Sequence, residues 1–253
     1  MRVLVAAVLA ACSAIAVNTM SHAAEIRVIS ANGMRDVIAQ TKAEFERNTR
    51  HRLTVTVTET GAIRRRVQGG EAFDVIIAPR EATDAFEQAG KLRPATAVAL
   101  VRVHFGLAVP SDGPRPDVST PEGLKRTLLA AKTVLITDPA TGGISGVQFM
   151  EVLNKLGIAD EMKGKLVPQL GGAFHAERVV RGEADLAAQA EHEIRCVRGA
   201  TYLPYPAVLQ RTIILMGGVG TAARDLQAAK DYLAFMTSAE TANAYKAHCL
   251  TRG

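Results

Sequence analysis

The chain has 253 residues, 48% of them hydrophobic, and a formal net charge of +5. That length suits one large domain or two small ones, and the apolar content is enough to build a core. Tryptophan is absent and aromatic residues are 4%, which argues against stacking platforms for single-stranded nucleic acid, while the mild positive charge suits a small anionic ligand.

In chain order, the first 23 residues read as an export signal. Arg2 is the charged start, an interrupted apolar segment follows, and Ser21-His22-Ala23 is a small-x-small cleavage site. Cleavage is expected near Ala23, leaving the mature protein in the periplasm. Leu9-Ala10-Ala11-Cys12 offers lipid anchoring through Cys12 instead, but the apolar run before it is short, which favours simple export. No later stretch is long and apolar enough to span a membrane. Maturation leaves Cys196 and Cys249, which an oxidising compartment permits to pair; sequence alone leaves that pairing open.

A short strand is expected at 26–30, then a turn at Asn32-Gly33 and a helix with Met34, Val37, Ile38 and Phe45 on one stripe. Alternation of Leu53, Val55 and Val57 with threonines predicts a strand over 53–58. The turn Glu59-Thr60-Gly61 opens a helix that ends at Gly69-Gly70. A strand at 74–78 and a helix at 81–90 complete a strand–helix alternation, which implies a parallel sheet with helices on both faces. Residues 98–109 form one long strand-like run, 110–116 a loop and 123–131 a helix. Then come a strand at 134–136, the loop Asp138-Pro-Ala-Thr-Gly-Gly-Ile-Ser-Gly146, and an apolar helix closed by Gly157. Gly171-Gly172 precedes another helix, a strand is expected at 186–189, a helix at 191–197, a proline-rich stretch at 202–209 and a strand at 211–216. Helices at 225–237 and 239–248 close the chain.

The 138–146 loop joins a strand to a helix, with Ser145 or Thr141 placed to cap the helix. Free N–H groups at the positive end of a helix dipole make a place to hold an anion. Val147 stands where a Walker loop needs Lys followed by Ser or Thr, and where a hydrolase nucleophile elbow needs Gly. Small polar turns recur at Asn32-Gly33, Thr60-Gly61, Ser145-Gly146 and Gly171-Gly172. In open α/β sheets ligands sit at the carboxyl ends of strands, so these turns are candidates for one cleft. His192 and Cys196 are four apart, but no Cys-x-x-Cys or His-Glu-x-x-His supports a metal site, and none is expected.

Over nearly its whole mature length the sequence resembles the periplasmic molybdate-binding proteins and their relatives among the solute-binding components of ABC transporters. The segments that carry the likeness are residues 26–37, Thr58-Glu-Thr-Gly-Ala-Ile63, Gly69-Gly-Glu-Ala-Phe-Asp-Val-Ile-Ile-Ala78, Asp138-Pro139 with Ser145-Gly146, and Gly182-Glu-Ala-Asp185. The resemblance implies an α/β two-lobed periplasmic-binding-protein fold, each lobe a mostly parallel sheet flanked by helices, with a ligand cleft between the lobes. Lobe one would be 24–101 plus 212–253 and lobe two 102–211, with crossings near 102–107 and 209–213. It implies hinge closure in a monomer that hands a small anion to a membrane ABC transporter permease, with no cofactor.

The departures bear on the ligand. Gly33 stands where molybdate binders have a serine, Thr60 or Gly61 where they have another, and Ala190, beside Gln189, where they have a tyrosine. The remaining ligand-binding candidates are Asn32, Gly33, Thr60, Gly61, Ser145, Gly146, Gly172 and Gln189, with Arg64 available to pair with a carboxylate. The expected ligand is a molybdate-like oxyanion or a small organic carboxylate, bound without chemistry. Some relatives resemble an isomerase of aconitate. Moving a double bond needs a base and an acid near one carbon, for which His175, Glu191 and His192 are the candidates.

Overall fold

The computed structural model describes residues 23–170 and 174–253; the expected signal up to residue 22, with Cys12, and Gly171-Gly172 lie outside it. The chain begins with β1 (Glu25–Ala31), a 3-10 turn (Asn32–Met34), α1 (Arg35–Thr49), β2 (Arg52–Thr58), α2 (Thr60–Gln68), β3 (Val75–Pro79) and α3 (Arg80–Gln88). β4 (Val98–Val103) and β5 (Phe105–Pro110) follow, then α4 (Pro121–Ala130), β6 (Val134–Thr137), a 3-10 turn (Pro139–Thr141), α5 (Ile144–Lys155), α6 (Ala159–Met162) and β7 (Leu166–Gln169). α7 (His175–Val180), β8 (Leu186–Ala190), α8 (Glu191–Arg195) and β9 (Ala200–Pro204) complete the second body. The chain returns through β10 (Ile213–Val219), α9 (Leu226–Thr237), α10 (Ala242–Ala247) and β11 (Thr251–Arg252).

Two sheets result, ordered β11-β4-β10-β3-β1-β2 and β7-β6-β8-β5-β9, so the molecule is a two-lobed α/β protein. Both sheets are mixed, with less parallel pairing than the alternation of strands and helices suggested. Helical crossovers make β1 parallel to β2 and β3, and β6 parallel to β7 and β8. The strands beside the interlobe connections, β10 and β4 in one sheet and β5 and β9 in the other, pair antiparallel.

The 98–109 run divides at His104 and feeds both sheets. Its hydrophobic pattern carries no trace of the change of sheet, because β4 and β5 are both buried strands. At the division the His104 carbonyl leaves the ladder and accepts the Glu191 N–H at 2.8 Å. Three strands were not expected: β7, β9 and the short β11. β9 occupies the start of the proline-rich stretch and β7 contains Pro168; both are sheet edges, where a missing N–H costs no ladder bond.

β3 is buried along its whole length, as a central strand covered on both faces should be. Phe45 packs edge-on to Tyr232, ring centroids 5.1 Å apart, and tilted against Phe235 at 5.3 Å, which seats α1 on α9. Cys196, just past α8, and Cys249, between α10 and β11, form a disulfide with Cα atoms 5.8 Å apart. It ties the body around the second sheet to the C-terminal segment of the first.

Candidate functional site

β1, β2, β6 and β8 end at the cleft between the lobes, and the segments after them make its walls. They enclose a chamber lined by Asn32, Gly33, Glu59, Thr60, Thr137, Ser145, Ala190, His192 and Glu193, with Val103, Phe105, Ile144 and Leu215 as apolar surface. Four sequence candidates for ligand binding therefore meet there: Asn32, Gly33, Thr60 and Ser145. Gly61 and Arg64 line an adjoining groove.

The helices that open on this cleft carry no side-chain cap, as is true of most helices among the described residues, α4 and α9 being the exceptions. Thr120 Oγ1 accepts the Gly123 N–H at 3.1 Å to cap α4, and Asp225 accepts the Ala228 N–H at 2.9 Å to cap α9. Glu59 before α2 and Gly143 before α5 make no such bond. The expected caps of α5, Ser145 and Thr141, are not formed. Gly142, at φ +77°, turns the chain so that Gly143 takes the cap position. Ser145 falls inside the first turn, and the Thr141 hydroxyl donates to the Asp138 carbonyl at 2.8 Å. The first N–H groups of α2 and α5 therefore have no side-chain cap.

Two glycines set how closely the walls approach. A Cβ on Gly61 would lie 2.5 Å from the Thr141 carbonyl oxygen and 3.0 Å from the Gly142 Cα, so only glycine lets α2 and the loop before α5 meet. Gly146 instead lies against the Thr137 carbonyl, where a Cβ would collide, and so seats α5 on the end of β6. Gln189 is buried behind the chamber, its Oε1 accepting the Ala176 N–H at 2.9 Å. Gly172 lies outside the described residues.

The three acid–base candidates separate. His192 lines the chamber. His175 is buried in α7, away from that lining. Glu191 is drawn to Arg195 at 2.6 Å and to His104 at 3.3 Å. The disulfide takes Cys196 out of any metal set with His192. Among the described residues no group of three His, Cys, Asp or Glu side chains is placed to hold a metal.

Sequence reasoning missed two carboxyls. Glu59 Oε1 accepts the Asn32 Nδ2–H at 2.6 Å, and Asn32 Oδ1 accepts from Arg35 at 2.7 Å. Glu193 Oε2 accepts the Ala190 N–H at 3.2 Å. The Glu193 residue is only half-buried, while its carboxyl lies deep among protein atoms. Burial pushes that carboxyl up to about 7, and the Glu59 charge adds to the shift. Burial also raises Glu59, against the opposing bond from Asn32 and the Arg35 charge. His192 is pushed down to about 4 by burial and stays neutral. Glu191-His192-Glu193 reads as a solvated helix face, but α8 starts directly at the end of buried β8, so its first turn faces the cleft. A glutamate at the third position of such a helix, reaching back to the cap N–H, was the available signal.

Two buried polar groups at the cleft have no partner among the described residues. They are Thr60 Oγ1 and both amide atoms of Gln148, whose residues are 7% and 2% exposed.

The family described as bacterial extracellular solute-binding protein matches residues 26–249. An aconitate isomerase from Pseudomonas sp. is 26% identical over 228 residues, covering 87% of this chain and 84% of that protein. The molybdate-binding protein ModA of Azotobacter vinelandii is 27% identical over 235 residues, covering 89% and 90%. The solved structure of the periplasmic molybdate-binding protein of Azotobacter vinelandii superimposes with a TM-score of 0.68 at 16% identity, covering 89% of this chain and 98% of that one.

Proposed function

The chain belongs to the bacterial extracellular solute-binding proteins, and from that membership we propose that its interlobe chamber captures a small organic acid for a membrane ABC transporter. The observation that carries this reading is the pair Glu59 and Glu193 beside neutral donors from both lobes. A tetrahedral dianion is matched by N–H and O–H donors alone, and two carboxyls beside it add repulsion or unanswered acceptors. An organic acid answers both kinds of group. Its carboxylate accepts from Thr60, Ser145 and the open helix starts. A ligand hydroxyl or second carboxyl shares a proton with Glu193, which near neutral pH exists in both forms.

Export through the 1–23 signal, a monomeric state and lobes at 24–101 with 212–253 and at 102–211 are parts of the same proposal. The test is thermal unfolding of the mature protein with molybdate, tungstate, sulfate and a series of mono-, di- and tricarboxylates. A ligand at a hundredfold excess over its Kd adds about 2.7 kcal/mol. Stabilisation by carboxylates and not by the tetrahedral oxyanions supports the reading, and the reverse pattern overturns it.

A second reading has its own support: a chamber holding a carboxyl titrating near neutrality next to a neutral imidazole. Such a pair can move a double bond in a tricarboxylate. The Glu193 carboxylate takes a proton from the saturated carbon, its C–H electrons form the new double bond, and the old π pair takes that proton back from the Glu193 carboxyl at the far carbon, which restores the carboxylate. In this reading the acid–base roles pass from His175 and Glu191 to Glu193 with His192. Incubation with cis- or trans-aconitate decides it. A change in isomer ratio that Glu193→Gln abolishes supports catalysis, and a constant ratio in the wild type rejects it.

A further inference from the structure

Thr60 and Ile144 line two spaces at once. On one side is the chamber; on the other, past the Gly61–Gly142 contact, the cleft widens into a groove between α2 and α5 lined by Arg64, Gln148, Glu151 and Arg211. The two spaces therefore share a wall at these residues. The groove has the features of a binding surface without an occupant. Gln148, on the second turn of α5, is 2% exposed, lines the groove and has neither amide atom hydrogen-bonded among the described residues. A buried amide left this way is costly unless something fills its hydrogen bonds.

The charges here differ from those of the chamber. Arg211 is occupied: it meets Glu81 at 2.7 Å and Glu151 at 3.5 Å. Glu81 is held below the usual carboxylate range, since its bonds and the nearby guanidinium charges outweigh burial. Arg64 lines the same groove and makes no ion pair with a described residue, whereas its near neighbour Arg66 is bound to Glu71 at 2.8 Å. Arg64 acts on Glu81 through its charge alone; a guanidinium outside any ion pair, lining the same groove as an unpartnered amide, suits a carboxylate, which accepts from both.

We propose that this groove is a second anion subsite, formed by Arg64 and Gln148. It takes the distal carboxylate of an elongated di- or tricarboxylic acid whose other end lies in the chamber. The inference rests on the organic-acid reading and narrows it: the ligand carries two separated carboxylates, and Arg64 and Gln148 select for the second.

The experiment is calorimetric titration of the mature wild type, Arg64→Ala and Gln148→Leu with acetate, succinate, citrate and trans-aconitate, each protein first checked for an unchanged melting profile. The expected result is a wild type that prefers the di- and tricarboxylates to acetate. Arg64→Ala should lose about tenfold in their affinity together with part of its salt dependence. Gln148→Leu should lose a smaller factor, and neither change should alter any binding of acetate. Equal losses for acetate and citrate, or unchanged citrate affinity in both variants, would overturn the subsite and leave the organic-acid reading standing. A wild type that binds none of the four overturns both.

Discussion

The two ends of the interlobe cleft share α2 and α5 and differ in their titratable groups. The inner chamber holds two carboxyls with raised pKa and a neutral imidazole, while the outer groove holds two arginines, Arg64 and Arg211, with Glu81 and Glu151 both paired to Arg211. The inner end is also strapped, since the Cys196–Cys249 disulfide lies directly after the helix that carries His192 and Glu193. The outer end is bridged by the exposed Arg211 pairs to Glu81 and Glu151, which are weak in water. On the organic-acid reading the contrast would give the ligand a direction, its proton-sharing end inward and its charged end outward. It also gives closure a direction, with the disulfide side fixed and the groove side free to part.

The largest effect that would break this contrast is loss of the strap. The disulfide closes a separation of 53 residues, for which chain-entropy reasoning gives about 4 kcal/mol of stability. Cys196→Ser is expected to lower the melting temperature. It should also raise amide exchange at 190–196 while leaving 60–68 as before. Equal loosening of both ends would remove the asymmetry.

Next in size is the inner carboxyl. Glu193 is raised in the folded protein from its ordinary 4.5 to about 7. The folded state therefore holds the proton more tightly than the unfolded chain, and its stability falls as pH rises between those values. At pH 8 the full penalty applies, about 3 kcal/mol at most for such a shift. Glu193→Gln is thus expected to raise the melting temperature at pH 8 and to change it little at pH 4. His192 has the opposite sign: lowered from 6.5 to about 4, it costs stability only as pH falls below its ordinary value, so pH 8 isolates Glu193. A melting temperature indifferent to Glu193→Gln at pH 8 would place that carboxyl in water.

The fold was largely legible because strand–helix alternation shows directly in hydrophobic period, and the turns at Asn32-Gly33 and Thr60 mark strand ends. What stayed hidden depends on partners distant in sequence. The change of sheet at His104 leaves no mark in a continuous apolar run. β7 and β9 contain prolines that only an edge position explains. Glu59 and Glu193 look like surface acids until the opposite lobe covers them. Gly146 reads in the sequence as a ligand-loop residue, yet in the fold it admits the Thr137 carbonyl. The disulfide, too, depends on a 5.8 Å Cα separation that no spacing in the sequence encodes.

The boundary between chamber and groove offers two smaller tests. A methyl group on Gly61 meets the Thr141 carbonyl only while the lobes are together, so Gly61→Ala should fold normally and close poorly. Overpacking of this kind costs about 2 kcal/mol, which at about 1.36 kcal/mol per decade is a loss of about thirtyfold in affinity, read by titration with the best carboxylate. Smallest are the hydroxyls that face both or one of the spaces. Thr60 Oγ1 is buried without a partner and its residue lines chamber and groove alike, whereas Ser145 lines the chamber alone. Removing either donor from a desolvated carboxylate costs about 1–2 kcal/mol. Ser145→Ala should weaken mono- and polycarboxylates by the same factor. Thr60→Ala should weaken the longer acids more, because Thr60 lines both spaces. Identical profiles for the two variants would mean that the ligand never leaves the chamber, and that the charge contrast between the two ends serves the protein's own closure rather than the ligand.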